Sequence, residues 1–137
     1  MHMKQLLLIL IILMSCAACQ RMAVREHTDS LNMAVIHYGA DLRWGRYTDA
    51  YSYHVYRDGT RPNYDLESLN NIKITSVEPV KPVINNEEAT EATVPFKIDY
   101  YDERYNTVKT IHQTQQWWYN EEVERWYIES EFPELKK

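Results

Sequence analysis

Residues 92–101 read Ala92-Thr93-Val94-Pro95-Phe96-Lys97-Ile98-Asp99-Tyr100-Tyr101, so apolar side chains alternate with mostly polar ones. This period of two is typical of a β-strand with one buried face. Similar patterns predict strands from residue 72, over 108–119 and over 123–130. Turn-forming residues separate these strands at 85–88, 103–106 and 120–122. The sequence therefore predicts an antiparallel meander of about four strands.

One choice of strand register places the apolar residues of the meander together. The choice pairs Ile98 with Ile111 and Trp117 with Trp126, and it sets Ile128 beside Gln115. A slip of one residue would scatter the apolar side chains over both faces of the sheet. The predicted inner face comprises Val94, Phe96, Ile98, Tyr100, Ile111, Gln113, Gln115, Trp117, Trp126 and Ile128.

Helical spacing precedes the strands. Thr28 to Ser30 offer N-cap oxygens, and Gly45 is expected to end or kink the helix that follows them. The apolar face of this helix is Leu31, Val35, Tyr38 and Leu42, and a second helical face is Tyr47, Ala50, Tyr51 and His54. We therefore predict an α+β domain in which N-terminal helices pack on a curved antiparallel sheet.

Two aromatic segments close the predicted sheet, namely Trp117-Trp118-Tyr119-Asn120 and Arg125-Trp126-Tyr127-Ile128. Helices followed by a meander of long strands with such an ending resemble the NTF2-like (cystatin-like) cone. The resemblance covers residues 28–133 and implies a pocket between the helices and the concave sheet face. Pro79 and Pro82, and the absence of a clear third helix, depart from the family's pattern. A plain sheet packed on a helical hairpin is the alternative.

The first 18 residues have the layout of an export signal, with Lys4, an apolar run over 6–14 and then small residues. The run is shorter than the roughly 20 apolar residues that span a bilayer. Leu13-Met14-Ser15-Cys16 resembles the lipobox of bacterial lipoproteins, in which the cysteine is lipidated and becomes the new N-terminus. We favour cleavage before Cys16 over cleavage before Cys19. Residues 19–27 are expected to form a polar tether.

This resemblance implies a subcellular location for the domain. In Gram-negative lipoproteins, a residue other than Asp after the lipidated cysteine favours the outer membrane, and here that residue is Ala17 or Gln20. The domain would then face the periplasm, held to the membrane by its N-terminal lipid. The alternative reading of Cys16 and Cys19 as a redox C-x-x-C pair lacks the βαβ setting that this motif needs.

Charge and motif spacing narrow the possible functions. The chain has 15 basic and 20 acidic residues, a net charge of −5, so it has no basic footprint for nucleic acid. His37, His54 and His112 lack the spacing of metal ligands, and the three glycines form no phosphate-binding loop. We therefore predict no metal and no cofactor.

The predicted inner face carries the candidate ligand-binding residues, which are Tyr51, His54, Tyr100, Gln113, Gln115 and Trp117. In a cone with an open pocket, the two amides would orient a small ligand between aromatic walls. Alternatively, Gln113 and Gln115 satisfy each other or the backbone. His54 is the one candidate for a catalytic base in this set, because the predicted inner face of the sheet has no Asp or Glu.

The opposite sheet face carries aromatic residues among mixed charges, a composition typical of protein interfaces. The candidate interface residues are Tyr101, His112, Trp118 and Tyr127. Related folds often dimerise through this face, whereas the alternative is ordinary cross-strand pairing on a solvated sheet. We expect a non-catalytic binding or assembly module. The alternative is a small-molecule-binding protein or an enzyme that uses His54, Gln113 and Gln115.

Overall fold

A computed structural model of the chain describes residues 2–136. It is an α+β structure in which a long N-terminal helix packs on a curled antiparallel sheet. The helices are α1 (His2–Arg43) and α2 (Tyr47–Ser52), followed by a 3₁₀ helix at Leu66–Leu69. The strands are β1 (Ile72–Pro79), β2 (Val83–Ile84), β3 (Glu91–Asp102), β4 (Val108–Asn120) and β5 (Arg125–Ile128).

The sheet has the strand order β1-β3-β4-β5, and β2 pairs with β3 farther along the edge that β1 occupies. The predicted register of the central hairpin is confirmed, since Ile98 lies opposite Ile111 and Phe96 opposite Gln113. The face predicted to point inward is buried along β3 in strict alternation. The inward-facing side chains of residues 92–101 therefore form the middle of the core.

The predicted register of the last hairpin is wrong by two residues. Trp117 lies opposite Ile128, and Trp126 lies opposite Tyr119. The cause is a four-residue turn over 121–124, in which Asn120 Oδ1 accepts hydrogen bonds from the backbone N–H groups of the second and third turn residues. A shift of two residues keeps each side chain on its own face, so Trp117, Trp126 and Ile128 are still buried.

Helix α1 begins much earlier than expected. Its predicted apolar face is confirmed, because Leu31, Val35, Tyr38 and Leu42 are buried. However, Thr28 to Ser30 do not cap a helix, and the residues expected to form a tether, 19–27, are helical. The physical reason is local: residues 19–30 contain no Gly or Pro, and the Thr28 and Ser30 hydroxyls bond back to the carbonyls of Val24 and His27.

The end of α1 agrees with the sequence prediction. Gly45 has a φ of +70°, and its N–H donates to the carbonyl of Leu42, while the backbone N–H of Arg46 donates to the backbone carbonyl of Asp41. This left-handed residue satisfies the last helical carbonyls and turns the chain into α2. His54 was predicted to extend the face of α2, but it lies just beyond the helix and forms a single parallel bridge with Ile128.

Both outer strands of the sheet have hydrogen bonds on their free edges. On β1, the carbonyl of Ile72 accepts from Tyr47 Oη at 2.9 Å and that of Ile74 accepts from Arg43 Nη1 at 3.0 Å. On β5, Ile128 N–H donates to the carbonyl of Tyr53 at 2.8 Å. The segment around α2 thus fixes the two edges of the sheet to the helical layer.

The residues after β5 complete the core. We call residues 130–136 the C-terminal strap. It has no strand pairing, yet Phe132 and Leu135 are 2% and 6% exposed. Tyr100 Oη accepts from the N–H of Lys136 and donates to its carbonyl, both at 3.1 Å. The contacts of the folded part therefore include Leu135 and Lys136.

Gly39 within α1 and Gly45 just after its end should respond in opposite ways to substitution by alanine. Gly45→Ala is expected to lower the free energy of unfolding by about 1–2 kcal/mol, because a Cβ is strained at positive φ. Gly39→Ala should raise it by about 0.5–1 kcal/mol, because Gly weakens a helix and the new Cβ meets Val77 Cγ1 at an ordinary 3.4 Å. Urea denaturation measures both values, and a neutral Gly45→Ala would contradict the role given to this turn.

Candidate functional site

The residues predicted to line a pocket converge on a buried hydrogen-bonded chain. Its centre is the Tyr38 hydroxyl, which lies 3.0 Å from His54 Nε2 and accepts from Gln115 Nε2 at 3.0 Å. His54, Tyr38 and Gln115 are all 0% exposed. Three parts of the polypeptide therefore meet at this site, namely α1, the segment after α2 and strand β4.

The hydrogen bonds define the protonation of the imidazole. His54 Nδ1 lies 2.8 Å from the carbonyl of Ser130, and a carbonyl can only accept, so Nδ1 carries the proton. Nε2 is then an acceptor, and the Tyr38 hydroxyl donates to it. Because this leaves the hydroxyl oxygen free to accept from Gln115, every member has a consistent role with a neutral histidine.

The two amides continue the chain toward the surface. Gln115 Nε2 also donates to Gln113 Oε1 at 2.9 Å, and Gln115 Oε1 accepts from Trp117 Nε1 at 3.1 Å. Gln113 Nε2 donates to the carbonyl of Glu131 in the strap at 2.8 Å. Among residues 2–136, no buried side-chain nitrogen or oxygen lacks a partner. The amides thus bond to each other and to the backbone, which was the alternative to a ligand site.

The C-terminal strap fills the space above this chain of hydrogen bonds. The ring of Phe132 lies 5.2 Å from that of His54, 6.0 Å from Tyr51 and 4.7 Å from Tyr64, centroid to centroid. Of the predicted pocket residues, Tyr100 and Gln113 reach a surface cleft of about 460 Å³ along the strap. His54 lies beneath the strap, next to Phe132, and Gln115 and Trp117 are buried in the packed interior.

Sequence reasoning placed the polar residues correctly but missed two participants. Tyr38 was assigned to the apolar helical face, and its spacing gave no sign that the hydroxyl bridges His54 and Gln115. The strap was not recognised either, although Phe132 and Leu135 are apolar residues just beyond the last strand. A tyrosine on a buried helical face needs a hydrogen-bond partner for its hydroxyl, and this rule could have predicted a polar contact for Tyr38.

Burial shifts the pKa values of the two titratable side chains in this chain of hydrogen bonds. Desolvation lowers the pKa of His54 from 6.5 to about 4, although the Ser130 carbonyl and Glu131 act in the opposite direction. Desolvation also raises the pKa of Tyr38 above its ordinary value. Both groups are therefore neutral at pH 7, and both ring nitrogens of His54 have partners within the protein.

The predicted interface residues divide into two groups on the outer sheet face. Trp118 and Tyr127 lie opposite each other with ring centroids 5.5 Å apart, and Arg57 lies over Trp118 at 5.7 Å. Trp118 Nε1 also donates to the carbonyl of Val55 at 2.8 Å, so the ring is held in place. His112 is opposite Lys97 and Tyr101 is opposite Val108, farther along the central hairpin.

The N-terminal part of α1 is exposed on all sides. Cys16 and Cys19 are free thiols on this helix and both are exposed. Although its run of purely apolar residues is short, the helix between His2 and Arg43 contains a longer segment that is apolar enough to cross a membrane, by length and composition only, and none of that segment is buried. Within the described residues, no group of three or more His, Cys, Asp or Glu side chains is placed to hold a metal ion.

Comparison of this chain with protein-family models, with curated proteins and with solved structures finds no match.

The buried imidazole should make stability depend on pH in a defined window. The unfolded chain protonates His54 near pH 6.5, whereas the folded chain keeps it neutral down to about pH 4. Stability contributed by this group is complete above pH 6.5 and falls by up to about 3 kcal/mol as the pH approaches 4. Urea denaturation between pH 4 and 7 measures this slope.

Two histidine variants separate the contribution of His54 to the pH dependence of stability from that of the other titratable groups. His54→Gln should flatten the slope, whatever it does to stability at pH 7. His112→Gln, which removes an exposed histidine from the outer face, controls for the loss of an imidazole as such. A slope unchanged in His54→Gln would show that the buried ring does not titrate in this window.

Proposed function

We propose that this chain is a membrane-anchored lipoprotein that acts as a non-catalytic binding or assembly module in the bacterial periplasm. The observation that carries the proposal is the contrast between the two faces of the sheet. The inner face is closed by α1 and the strap, and its polar groups are satisfied internally. On the outer face, the side chains of β4 at Thr110, His112, Thr114 and Gln116 are exposed.

The proposed fold family is the NTF2-like cone. A long helix lying against a curled antiparallel sheet supports this assignment. A ligand or catalytic pocket around His54 would require the strap to leave, because Phe132 occupies the space next to the imidazole. The closed interior therefore favours a binding role at the surface over chemistry inside the cone.

The proposed anchor is a lipid on Cys16, with the outer membrane as its location. Its support is an exposed apolar segment with no protein surface to bury it. Since α1 is continuous and its residues 16–23 are exposed, these eight residues would form a helical stalk of roughly 12 Å rather than a flexible tether. Such a stalk would hold the domain at a fixed height above the bilayer.

Cysteine variants test the anchor. Cys16→Ser should abolish incorporation of radiolabelled palmitate and leave an unprocessed chain, while Cys19→Ser should leave labelling and N-terminal processing intact. Mass spectrometry of the N-terminus identifies the modified residue. Labelling that survives in Cys16→Ser but not in Cys19→Ser would move the anchor to Cys19, and labelling that neither variant changes would overturn lipidation.

The outer sheet face can be tested without disturbing the core. A photo-crosslinking amino acid at Thr114 should capture a partner in cells, because this side chain is exposed on the outer face. The matched control is Thr48, which is exposed on α2. Two differently tagged copies distinguish a homodimer from another protein partner. Equal capture from both positions, or none from Thr114, would argue against this face as the binding surface.

A further inference from the structure

A cleft of about 530 Å³ lies between the end of α1 and the free edge of β1. It is separate from the buried chain at His54, and it lies at the opposite edge of the sheet from Trp118 and Tyr127. Its walls include Arg43 and Trp44 from the end of α1, Asn70 after the 3₁₀ helix, Lys73 on β1 and Tyr101 on β3.

Arg43 is held in a fixed orientation at this cleft. Its Nη1 donates to the carbonyl of Ile74 at 3.0 Å, and its guanidinium lies 5.2 Å from the centre of the Trp44 ring. Among the described residues, no carboxylate lies within ion-pair distance of Arg43. A guanidinium has five N–H donors, so most of those on Arg43 are available to a ligand.

The surrounding charges leave the cleft with a net cationic character. Lys73 is the second cation, and its contact with Glu103 is long, at 4.0 Å between exposed side chains. Asp41, near the end of α1, is paired with Arg46 at 2.8 Å. The carbonyls of residues 40–42 accept hydrogen bonds from the N–H groups of residues 44–46, so these three carbonyls are already paired within the chain.

The aromatic residues give the cleft a flat apolar surface. Trp44 is 69% exposed, although large apolar side chains are generally buried. Tyr101 is half-buried on the neighbouring strand, and the Asn70 side chain is exposed at the rim. A ring with one apolar face can pack on the indole, while polar substituents at its edge reach the amide and the cations.

We propose that this cleft binds an acidic sugar, that is, a saccharide that carries a carboxylate. The carboxylate pairs with the guanidinium of Arg43 and with Lys73, the apolar face of the sugar ring packs on the part of the Trp44 indole that Arg43 leaves uncovered, and a hydroxyl group contacts Asn70. A planar guanidinium fork matches a carboxylate in a bidentate geometry, which gives the anion a defined position. The apolar contact with Trp44 distinguishes such a ligand from a simple inorganic anion.

The test uses the full chain in detergent micelles and three probes, namely glucuronate, glucose and inorganic phosphate. Glucuronate and glucose differ by a single carboxylate. NMR should show a saturable shift of the Trp44 indole N–H with glucuronate, and glucose should bind about tenfold more weakly. Phosphate should leave the Trp44 indole signal in place and compete only weakly.

Variants assign the binding to the cleft. Arg43→Gln should weaken glucuronate binding about tenfold, and Lys73→Gln should weaken it without touching the hydrogen bond to Ile74. The matched control is Arg125→Gln, since Arg125 lies over the Tyr53 ring at 5.5 Å but is outside the cleft. The backbone NMR spectrum of each variant verifies its fold, and Lys73→Gln decides the matter if Arg43→Gln does not fold.

Three outcomes would overturn the proposal. Equal affinity for glucose and glucuronate would show that the carboxylate is not recognised. Equal competition by phosphate would show a nonspecific anion site. The absence of a saturable shift at Trp44 with glucuronate would show that the cleft does not bind acidic sugars.

Discussion

The hydrogen bond between the Tyr38 hydroxyl and His54 Nε2 is the centre of a polar network that connects the helices, the sheet and the strap. Tyr38 belongs to α1 and His54 follows α2, while Gln115 joins them from β4 and Ser130 from the strap. A buried polar group without a partner costs about 1–3 kcal/mol, so these segments must take up their positions together. The polar chain thus favours one arrangement of helices, sheet and strap, because other arrangements would leave some of these buried groups unpaired.

Most of the fold could be predicted because the spacing of apolar residues along a strand or a helix shows which side of that element is buried. Alternation along β3 identifies the buried side of the sheet, and the spacing of Leu31, Val35, Tyr38 and Leu42 identifies the buried side of α1. Alternation along a strand cannot distinguish registers that differ by two residues, because such a shift keeps every side chain on the same face. The predicted partner of Trp117 was therefore wrong, whereas its predicted burial was right. The turn that decides the register depends on Asn120, whose side-chain bonds have no periodic signature.

The candidate site was predictable in its composition but not in its state. His54, Gln113 and Gln115 were expected near one another, and they are connected through Tyr38 and one amide–amide bond. Whether the space between the helices and the sheet is open depends on what covers it, and here the cover is a segment without regular secondary structure. Its hold on the core comes from Phe132 and from backbone carbonyls bonded by His54 and Gln113, contacts between residues far apart in the chain.

The hydrogen bonds on the outer strands have a consequence for crowded surroundings. A sheet edge with free backbone groups is a template on which further strands of other molecules can add. In this protein Tyr47 and Arg43 occupy carbonyls of β1, and the Tyr53 carbonyl occupies an N–H of β5. These bonds leave fewer free backbone groups on β1 and β5, so the addition of a strand from another molecule is less favourable at these two edges.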